Sequence, residues 1–258
     1  MFKLSIITAT YKRSRDLKKN YNFLKKNINF CNFEWILLYE LDDYETVATI
    51  SNMNEKFIKK YPGYYKNCDK AQIFGIKKST GYFIVIHGDD DFFTRDFFFN
   101  IRKLSSSYQW IVGRGFYINK KNTIFKKYIT TVKSMLLKNY SSHMLKIINF
   151  LMSPSIIFKK KILENLGGVP KINYAGSDYF LWLRFDKFYK PKIINKNLSF
   201  SKLDGNTITG GFDIKRYTMR LRALKVYANN LLIRLLQYKV IVLIIIFNYV
   251  NKVILKRI

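Results

Sequence analysis

Three short apolar runs are spaced along the first 90 residues and predict buried strands at Leu4–Thr8, Trp35–Tyr39 and Tyr82–Ile86. Each is rich in β-branched or aromatic residues and ends in polar residues, which is typical of strands inside a sheet. The segments between them have the period of helices. The first half therefore predicts strands that alternate with helices.

The first helical pattern follows Ser14, a candidate N-cap residue, and places apolar side chains three or four positions apart. These apolar positions are Leu17, Tyr21, Leu24 and Ile28. Further helices are predicted from about 44 to 60 and over Asp69–Ser79. Alternation of this kind predicts a parallel, doubly wound sheet, in which ligands bind at the carboxyl ends of the strands.

Polar residues stand at the carboxyl ends of all three predicted strands, and we expect them to line one crevice. They are Thr8 to Tyr11, Tyr39-Glu40 and His87 to Asp91. The second half is less regular between 97 and 150. It then predicts a strand at 155–158 and helices at Lys160–Leu166 and Ser177–Tyr189, with Asp178 in the first turn of the last.

The chain is strongly basic, with 46 Lys and Arg against 17 Asp and Glu in 258 residues and a net charge of +29. Such a charge favours a polyanionic partner: a nucleic acid, an anionic membrane surface or a phosphorylated small molecule. The two cysteines, Cys31 and Cys68, show no metal-binding spacing and are typical of a reducing compartment.

The sequence divides into a domain at 1–213 and a tail at 214–258 that has no acidic residue. The apolar run Val240–Phe247 in the tail is shorter than the roughly 20 residues that a bilayer span needs. With its basic flanks, the tail predicts a helix lying in the membrane interface. The alternative is a helical hairpin packed on the domain or on a second subunit.

Asp89, Asp90 and Asp91 form an acidic cluster directly after the third predicted strand. Clustered carboxylates repel one another unless a cation lies between them, and oxygen ligands suit Mg²⁺ or Mn²⁺. Successive side chains of an extended segment point in opposite directions, so not all three can bind one metal. A solvated acidic turn is the alternative.

The order of these motifs resembles the family 2 glycosyltransferases with the GT-A fold, over about residues 2 to 210. The resemblance begins at Leu4 to Arg13, continues through Asp69-Lys70-Ala71 and Ser79-Thr80-Gly81, and places Gly88 to Phe93 at the family's Asp-x-Asp-type motif. In the second half it rests on Ser153-Pro154-Ser155, Leu166-Gly167-Gly168, Gly176 to Tyr179 and Leu181 to Arg184.

The resemblance implies a Rossmann-like, mostly parallel sheet with a nucleotide-sugar half at 1–96 and an acceptor half at 97–213. It implies Asp178 as the catalytic base and Asp90 and Asp91 as ligands of Mn²⁺ or Mg²⁺, with Asp90 preferred. The implied nucleotide-sugar-binding residues are Thr8, Ala9, Tyr11, Arg13, Tyr39, Glu40, Asp69, Lys70, Asp89 and Asp90.

The function that follows from the resemblance is inverting transfer of a sugar from a nucleoside-diphosphate donor, with a UDP-sugar preferred. The acceptor would be a glycan or a polyprenyl-diphosphate-linked sugar in surface polysaccharide synthesis. The enzyme would be cytoplasmic and peripheral on the inner face of the cytoplasmic membrane, with a homodimer as one option. Tyr39 stands where the family usually has a base-binding aspartate, and Gln72-Ile73 also departs from its pattern.

Two other interpretations stay open from the residues. A nucleic-acid-binding protein would explain the basic charge, but the sequence contains no recognised binding motif, and an acidic run would repel phosphates without a metal. A catalytically inactive, membrane-bound scaffold of the same fold would explain the departures at Tyr39 and Gln72-Ile73. We expect no nucleic-acid partner.

Overall fold

The computed structural model describes residues 3–102, 107–118, 124–169 and 177–202, together with isolated helical positions between 232 and 242. The strands in these ranges are β1 Lys3–Thr10, β2 Asn32–Glu40, β3 Ile58–Gly63, β4 Phe83–Ile86, β5 Asp91–Phe93, β6 Trp110–Ile118, β7 Ile156–Lys159 and β8 Lys192–Lys202. The helices are α1 Ser14–Lys26, α2 Tyr44–Ser51, α3 Cys68–Lys78, α4 Phe97–Arg102, α5 Ile124–Lys138, α6 Ser142–Ile147, α7 Lys160–Asn165 and α8 Ser177–Phe188, with a 3₁₀ turn at Ser153–Ser155.

The strands form one sheet in the order β3-β2-β1-β4-β7-β6-β8-β5. The first four are mutually parallel, which confirms the predicted doubly wound first half. β7 runs antiparallel to both β4 and β6, whereas β8 pairs parallel with β6 and antiparallel with β5. The carboxyl ends of β1 and β4 therefore lie side by side, and the second half extends the sheet beyond β4.

A hydrophobic core covers each face of the sheet, because neighbouring residues of a strand point to opposite faces. Ile7 and Ile36 face the core that α3 and α8 cover, whereas Ile6 and Trp35 face the core that α1, α2 and α4 cover. β1, β2 and β4 are buried on both faces, as in other parallel sheets, whereas the edge strand β3 is partly exposed.

The predicted helix at 44–60 was wrong beyond Ser51. The Ser51 hydroxyl and the Asn52 side-chain amide both donate to the Ala48 carbonyl at 2.8 and 2.9 Å, which satisfies a carbonyl group at the helix end. Ile58–Gly63 then forms β3 beside β2, where its first residue is buried. Pairing with β2 makes this segment a strand, and the local sequence pattern does not reveal that pairing.

The prediction that Ser14 caps α1 was also wrong. Arg13 occupies the cap position, and no side chain there caps the helix. Ser14 is the first helical residue, and its hydroxyl donates to Glu45 in α2. The helix ends at Lys26, so Ile28, which the periodicity assigned to its apolar face, lies beyond it and is exposed.

The segment from 97 to 150, for which the sequence predicted little regular structure, contains β6, whose first half is buried in the sheet. The apolar pattern of this strand is interrupted in the sequence by Gly113-Arg114-Gly115. A Cβ at Gly113 would lie 2.4 Å from Leu198 Cγ, so glycine allows β8 to approach closely. β6 is therefore specified by its partner strand as well as by its own apolar residues.

A buried carboxylate joins β2 to β1 and to the segment before β4. Glu34 accepts hydrogen bonds from the Ser5 hydroxyl (2.6 Å), the Thr80 amide and hydroxyl (2.6 and 3.0 Å) and the Gly81 amide (3.2 Å). Burial raises the pKa of Glu34, but the hydrogen bonds from Ser5 and Thr80 and the charge of Lys3 outweigh it, so the pKa lies below the ordinary 4.5.

Glu34 is expected to make stability fall in acid. Because its pKa is lower in the folded than in the unfolded chain, its ionised form stabilises the fold above about pH 4.5, and this contribution is lost as the pH falls through the folded-state pKa. Urea unfolding of the wild type and Glu34→Gln across this range measures it. The difference in unfolding free energy should be greatest near neutral pH and shrink in acid; a difference independent of pH would contradict the assignment.

Gly81→Ala is expected to lower the free energy of unfolding by about 1 to 3 kcal/mol, the usual cost of overpacking. The added Cβ would lie 2.7 Å from the Ser5 amide nitrogen and 2.9 Å from the Leu4 carbonyl carbon, neither of which can rotate away. Denaturant unfolding measures the loss. Lys77→Ala, at an exposed site in α3, is the control and should change stability far less.

Candidate functional site

The acidic segment Gly88–Asp91 lies at the carboxyl end of β4, beside the end of β1. Its main chain is fixed from two directions. The Asn20 side-chain amide, from α1, donates to the carbonyl groups of Asp91 (3.0 Å) and Asp89 (3.4 Å), and the Lys202 amide, at the end of β8, donates to the Asp90 carbonyl (3.1 Å). The segment is thus a rigid loop between the two halves of the sheet.

Asp91 fastens this loop. Its Oδ2 accepts from the Gly88 amide at 2.8 Å, and its Oδ1 accepts from the Ser201 hydroxyl on β8. Burial and the adjacent Asp90 raise the pKa of Asp91 to about 7. These two hydrogen bonds hold the Asp91 carboxylate between the start of the loop and β8.

Asp89 joins the loop to the end of β1. Its Oδ2 accepts from the Tyr11 amide at 3.3 Å. Burial and the charge of Asp90 raise the pKa of Asp89 to about 6, although the Thr10 hydroxyl, the Tyr11 amide and the charge of Arg13 act in the opposite direction. Asp89 and Asp90 repel each other where water is partly excluded. A bound cation would reduce this repulsion.

Asp90 and Asp91 both bring a carboxylate oxygen close to Gly88. A Cβ at Gly88 would lie 3.0 Å from Asp90 Oδ1 and 2.7 Å from Asp91 Oδ2. Among the described residues, no group of three His, Cys, Asp or Glu side chains forms a complete metal cage. Asp89 and Asp90 fit a Mg²⁺ or Mn²⁺ ion that keeps waters and takes its other ligands from substrate phosphates.

His87 precedes the loop but packs in the core. Its ring lies 4.3 Å from the Phe93 ring, and among the described residues neither of its nitrogens has a hydrogen-bond partner. Burial lowers the pKa of His87 to about 3, so the ring is neutral. These contacts indicate packing at the strand end.

Asp178 enters the same cleft from the first turn of α8. Its Oδ2 accepts from the Ser153 hydroxyl at 2.6 Å, and its Oδ1 accepts from the Tyr179 amide at 2.7 Å. Asp178 lines a small cavity together with Asp69 of α3 and Ile86 at the end of β4. The two aspartates therefore face one space from opposite sides.

Cys68, on the first turn of α3, lies within range of several of these charges. Desolvation raises the pKa of its thiol most, and the charges of Asp69, Asp89, Asp178 and Asp90 add to this effect.

Tyr11 and Arg13 follow the carboxyl end of β1, where the Tyr11 amide donates to Asp89 of the acidic loop. The Tyr11 side chain is 46% exposed, so its ring is open to a stacking partner. The turn is held by Asp43, whose Oδ2 accepts from the Lys12 amide and whose Oδ1 accepts from the Thr46 amide at the start of α2. Lys12 has a positive φ of 54°, which turns the chain between β1 and α1.

Three residues assigned to nucleotide-sugar binding from the sequence have internal partners. The buried Thr8 hydroxyl accepts from Trp35 Nε1 at 3.0 Å, and the Tyr39 ring packs in the core under α1 and α2. Glu40 accepts from the amides of Tyr65 and Lys66 at 3.0 and 2.9 Å, so its carboxylate supports the loop after β3.

Of the other residues assigned to the nucleotide sugar, Asp69 lines the cavity that Asp178 also lines. Ala9 packs against the core that α3 and α8 cover, and Lys70 is exposed on the first turn of α3. The Asn67 side chain caps α3 by accepting from the Asp69 and Lys70 amides at 2.7 and 3.4 Å. The first turn of α3 is therefore held in place at the cleft.

The chain is similar to known proteins in structure but not in sequence. No family model matches the chain, and no curated protein matches its sequence. The structure is similar to S. aureus TarS 1–349 in complex with UDP-GlcNAc, with a TM-score of 0.67 and 15% identity over 88% of this chain and 66% of that one.

Two further structures are similar. Mannosyl-3-phosphoglycerate synthase from Rubrobacter xylanophilus matches with a TM-score of 0.57 and 9% identity, over 87% of this chain and 73% of that one. Mannosyltransferase PcManGT from Pyrobaculum calidifontis, in complex with GDP-Man and Mn²⁺, matches with a TM-score of 0.53 and 14% identity. The match covers 85% of this chain and 60% of that one. These neighbours are GT-A glycosyltransferases. The chain has the GT-A fold.

Within this GT-A fold, the site divides between the two halves of the sheet. The parallel half carries Tyr11, Asp69 and the acidic loop, and the second half carries Ser153 and Asp178. The sequence predicts no role for Ser153. Its contact with Asp178 spans 25 positions, so the sequence alone does not show it.

Proposed function

We propose that the chain is a metal-dependent, inverting glycosyltransferase that moves a sugar from a nucleoside-diphosphate donor to an acceptor hydroxyl. The observation that carries the proposal is that Asp69 and Asp178 line one cavity with Ile86, at the end of the strand that leads into the acidic loop. The GT-A fold supports it, since it is the fold of the similar glycosyltransferases.

On the donor side, Asp90 with the help of Asp89 would hold Mn²⁺ or Mg²⁺, and Asp91 would fasten the loop that carries them. The metal would neutralise the diphosphate as it leaves. The exposed Tyr11 ring would stack on the nucleotide base, and Arg13 would lie near the phosphates. A UDP-sugar is the first candidate donor, since the TarS structure contains UDP-GlcNAc; the GDP-Man complex makes a GDP-sugar the second.

On the acceptor side, Asp178 would act as general base. An acceptor hydroxyl oxygen attacks the anomeric carbon of the donor, the bond from that carbon to the diphosphate oxygen breaks, and the hydroxyl proton passes to Asp178. Asp178 lies in the first turn of α8, where the Ser153 hydroxyl and the Tyr179 amide donate to its carboxylate. One direct displacement inverts the configuration at the anomeric carbon.

The acceptor is proposed to be a glycan or a polyprenyl-diphosphate-linked sugar, used at the inner face of the cytoplasmic membrane. The predicted division at 213 and most of the tail lie outside the described residues. In the described part of the chain, no helix is long and apolar enough to cross a membrane. The isolated helical positions expose apolar side chains, at Leu232, Leu235, Leu236 and Val242, which supports contact with a lipid surface.

Leu235→Glu is expected to weaken binding to anionic vesicles several-fold, because it places a negative charge on an exposed apolar position of the tail. Flotation with phosphatidylglycerol vesicles measures the bound fraction. Leu41→Glu, which makes the same change of charge at an exposed leucine of the domain, is the matched control. Equal loss in both variants would show that only net charge matters and would contradict a specific role of the tail.

A panel of nucleotide sugars tests the proposed function. With Mn²⁺ present, we expect one donor to be hydrolysed or transferred and the others to react far more slowly. Metal-independent, salt-sensitive binding to DNA or RNA, without turnover of any donor, would overturn the proposal in favour of a nucleic-acid-binding protein. Donor binding without turnover would favour an inactive scaffold.

A further inference from the structure

The Ser153–Ser155 turn lies between the two halves of the cleft and contacts β4, β5, β6 and β8. The Ser155 hydroxyl donates to the Arg114 carbonyl at 3.1 Å and lies 2.5 Å from the Ser199 hydroxyl. The Ser155 hydroxyl has one proton, which it donates to the Arg114 carbonyl. In the hydrogen bond between the two serines, Ser199 is therefore the donor and Ser155 the acceptor. Both serines are fully buried, so moving the turn would leave hydroxyl groups unpaired.

Each end of this arrangement reaches a carboxylate of the site. Ser153 donates to Asp178 Oδ2 at 2.6 Å. Ser201, two residues beyond Ser199 and on the same face of β8, donates to Asp91 Oδ1. Asp91 fastens the loop that carries Asp90. The turn therefore bonds to Asp178, β8 bonds to Asp91, and the Ser155–Ser199 contact joins the turn to β8.

We propose that Ser153, Ser155, Ser199 and Ser201, the serine frame, set the position of Asp178 relative to the acidic loop, with Ser153 as a positioning residue for proton transfer. This inference rests on the proposed function. A carboxylate offers about four lone-pair sites, and the hydrogen bonds from Ser153 and the Tyr179 amide occupy two of them. The others are left to receive the acceptor proton, while the side chain is held in one orientation.

The frame predicts that Ser153→Ala lowers kcat by about 10- to 100-fold, as expected when a catalytic group is displaced by about 1 Å. Donor affinity should not change, because Ser153 contacts Asp178 and not the acidic loop. Ser153→Thr keeps the hydroxyl and should recover most of kcat. Transfer of sugar from the donor that the panel selects, measured with the full chain, gives kcat, and calorimetry gives donor affinity.

Ser142→Ala is the matched control, since the Ser142 hydroxyl also donates to a buried carboxylate, Asp186, at 3.0 Å but outside the cleft. It should cost stability and leave kcat unchanged. A wild-type kcat in Ser153→Ala would overturn the inference. So would a loss of kcat that Ser153→Thr does not recover, or one matched by an equal loss of donor affinity.

Asp178→Asn, measured in the same assay, separates this inference from the proposed function. If Asp178→Asn is inactive while Ser153→Ala is normal, only the serine frame is rejected. If Asp178→Asn transfers sugar at the wild-type rate, the base is elsewhere, and both the proposed mechanism and the frame are rejected.

Discussion

Asp178→Asn is expected to lower kcat for sugar transfer by roughly 100- to 10,000-fold, the usual contribution of a general base. Asparagine keeps the size of the side chain and can still accept a hydrogen bond from Ser153, but its amide cannot take a proton from the acceptor hydroxyl. Donor affinity should stay within about 2-fold of the wild type, since Asp178 is not assigned to the nucleotide or the metal. Initial rates at saturating donor and acceptor give kcat.

Asp42→Asn is the control for this change, because Asp42 is an exposed aspartate of the turn between β2 and α2. It should keep both kcat and the unfolding midpoint of the wild type. If Asp178→Asn retained more than about a tenth of kcat, general-base catalysis by Asp178 would be excluded. If it lost activity only because it was unfolded, its circular dichroism spectrum would show this.

Asp90→Asn is expected to lower metal-dependent turnover by roughly 100- to 1,000-fold, comparable to the loss of one electrostatic contact to the transition state. The variant removes a negative charge at the position proposed for the metal, so the leaving diphosphate would lack its counter-charge. Mn²⁺ titration of the initial rate should show a higher concentration for half-maximal activity as well as a lower plateau.

Asp91→Asn separates metal binding from support of the loop. Its oxygens accept from Gly88 and Ser201, so the substitution should lower the free energy of unfolding as well as activity. Asp90→Asn should leave stability near that of the wild type. If Asp91→Asn shifted the metal requirement and Asp90→Asn did not, the two roles would be reversed.

The acidic cluster could be predicted from the sequence because its signal is local, whereas Asp178 was indicated by the family resemblance. Asp89 to Asp91 closely follow an apolar run that is typical of a buried strand. A strand followed by carboxylates, in a chain that alternates strands and helices, already indicates a site at the edge of a sheet.

The internal contacts of Thr8, Tyr39 and Glu40 could not be predicted from the sequence. Being at a strand end places a residue near the crevice, but which face its side chain takes depends on register and on what packs there. Tyr39 and Glu40 are neighbours and point to opposite faces, one into a core and the other to the backbone amides of a loop.

The contacts that join the two halves of the site are also invisible in the sequence. The Ser201 to Asp91 hydrogen bond spans 110 positions, and β8, on which Ser201 lies, has several exposed polar residues in the middle of its length. Such a segment has too little apolar periodicity to predict a strand. Its position is decided by pairing with β6 and β5.

Calorimetric titration of UDP and GDP with and without Mn²⁺ tests most directly whether the acidic loop holds a nucleoside diphosphate through a divalent metal. We predict that one of the two nucleotides binds the wild type and Asp178→Asn with Mn²⁺, and that binding is lost on adding EDTA or in Asp90→Asn. Binding that is equally tight in EDTA, or no binding of either nucleotide with Mn²⁺, would contradict the claim.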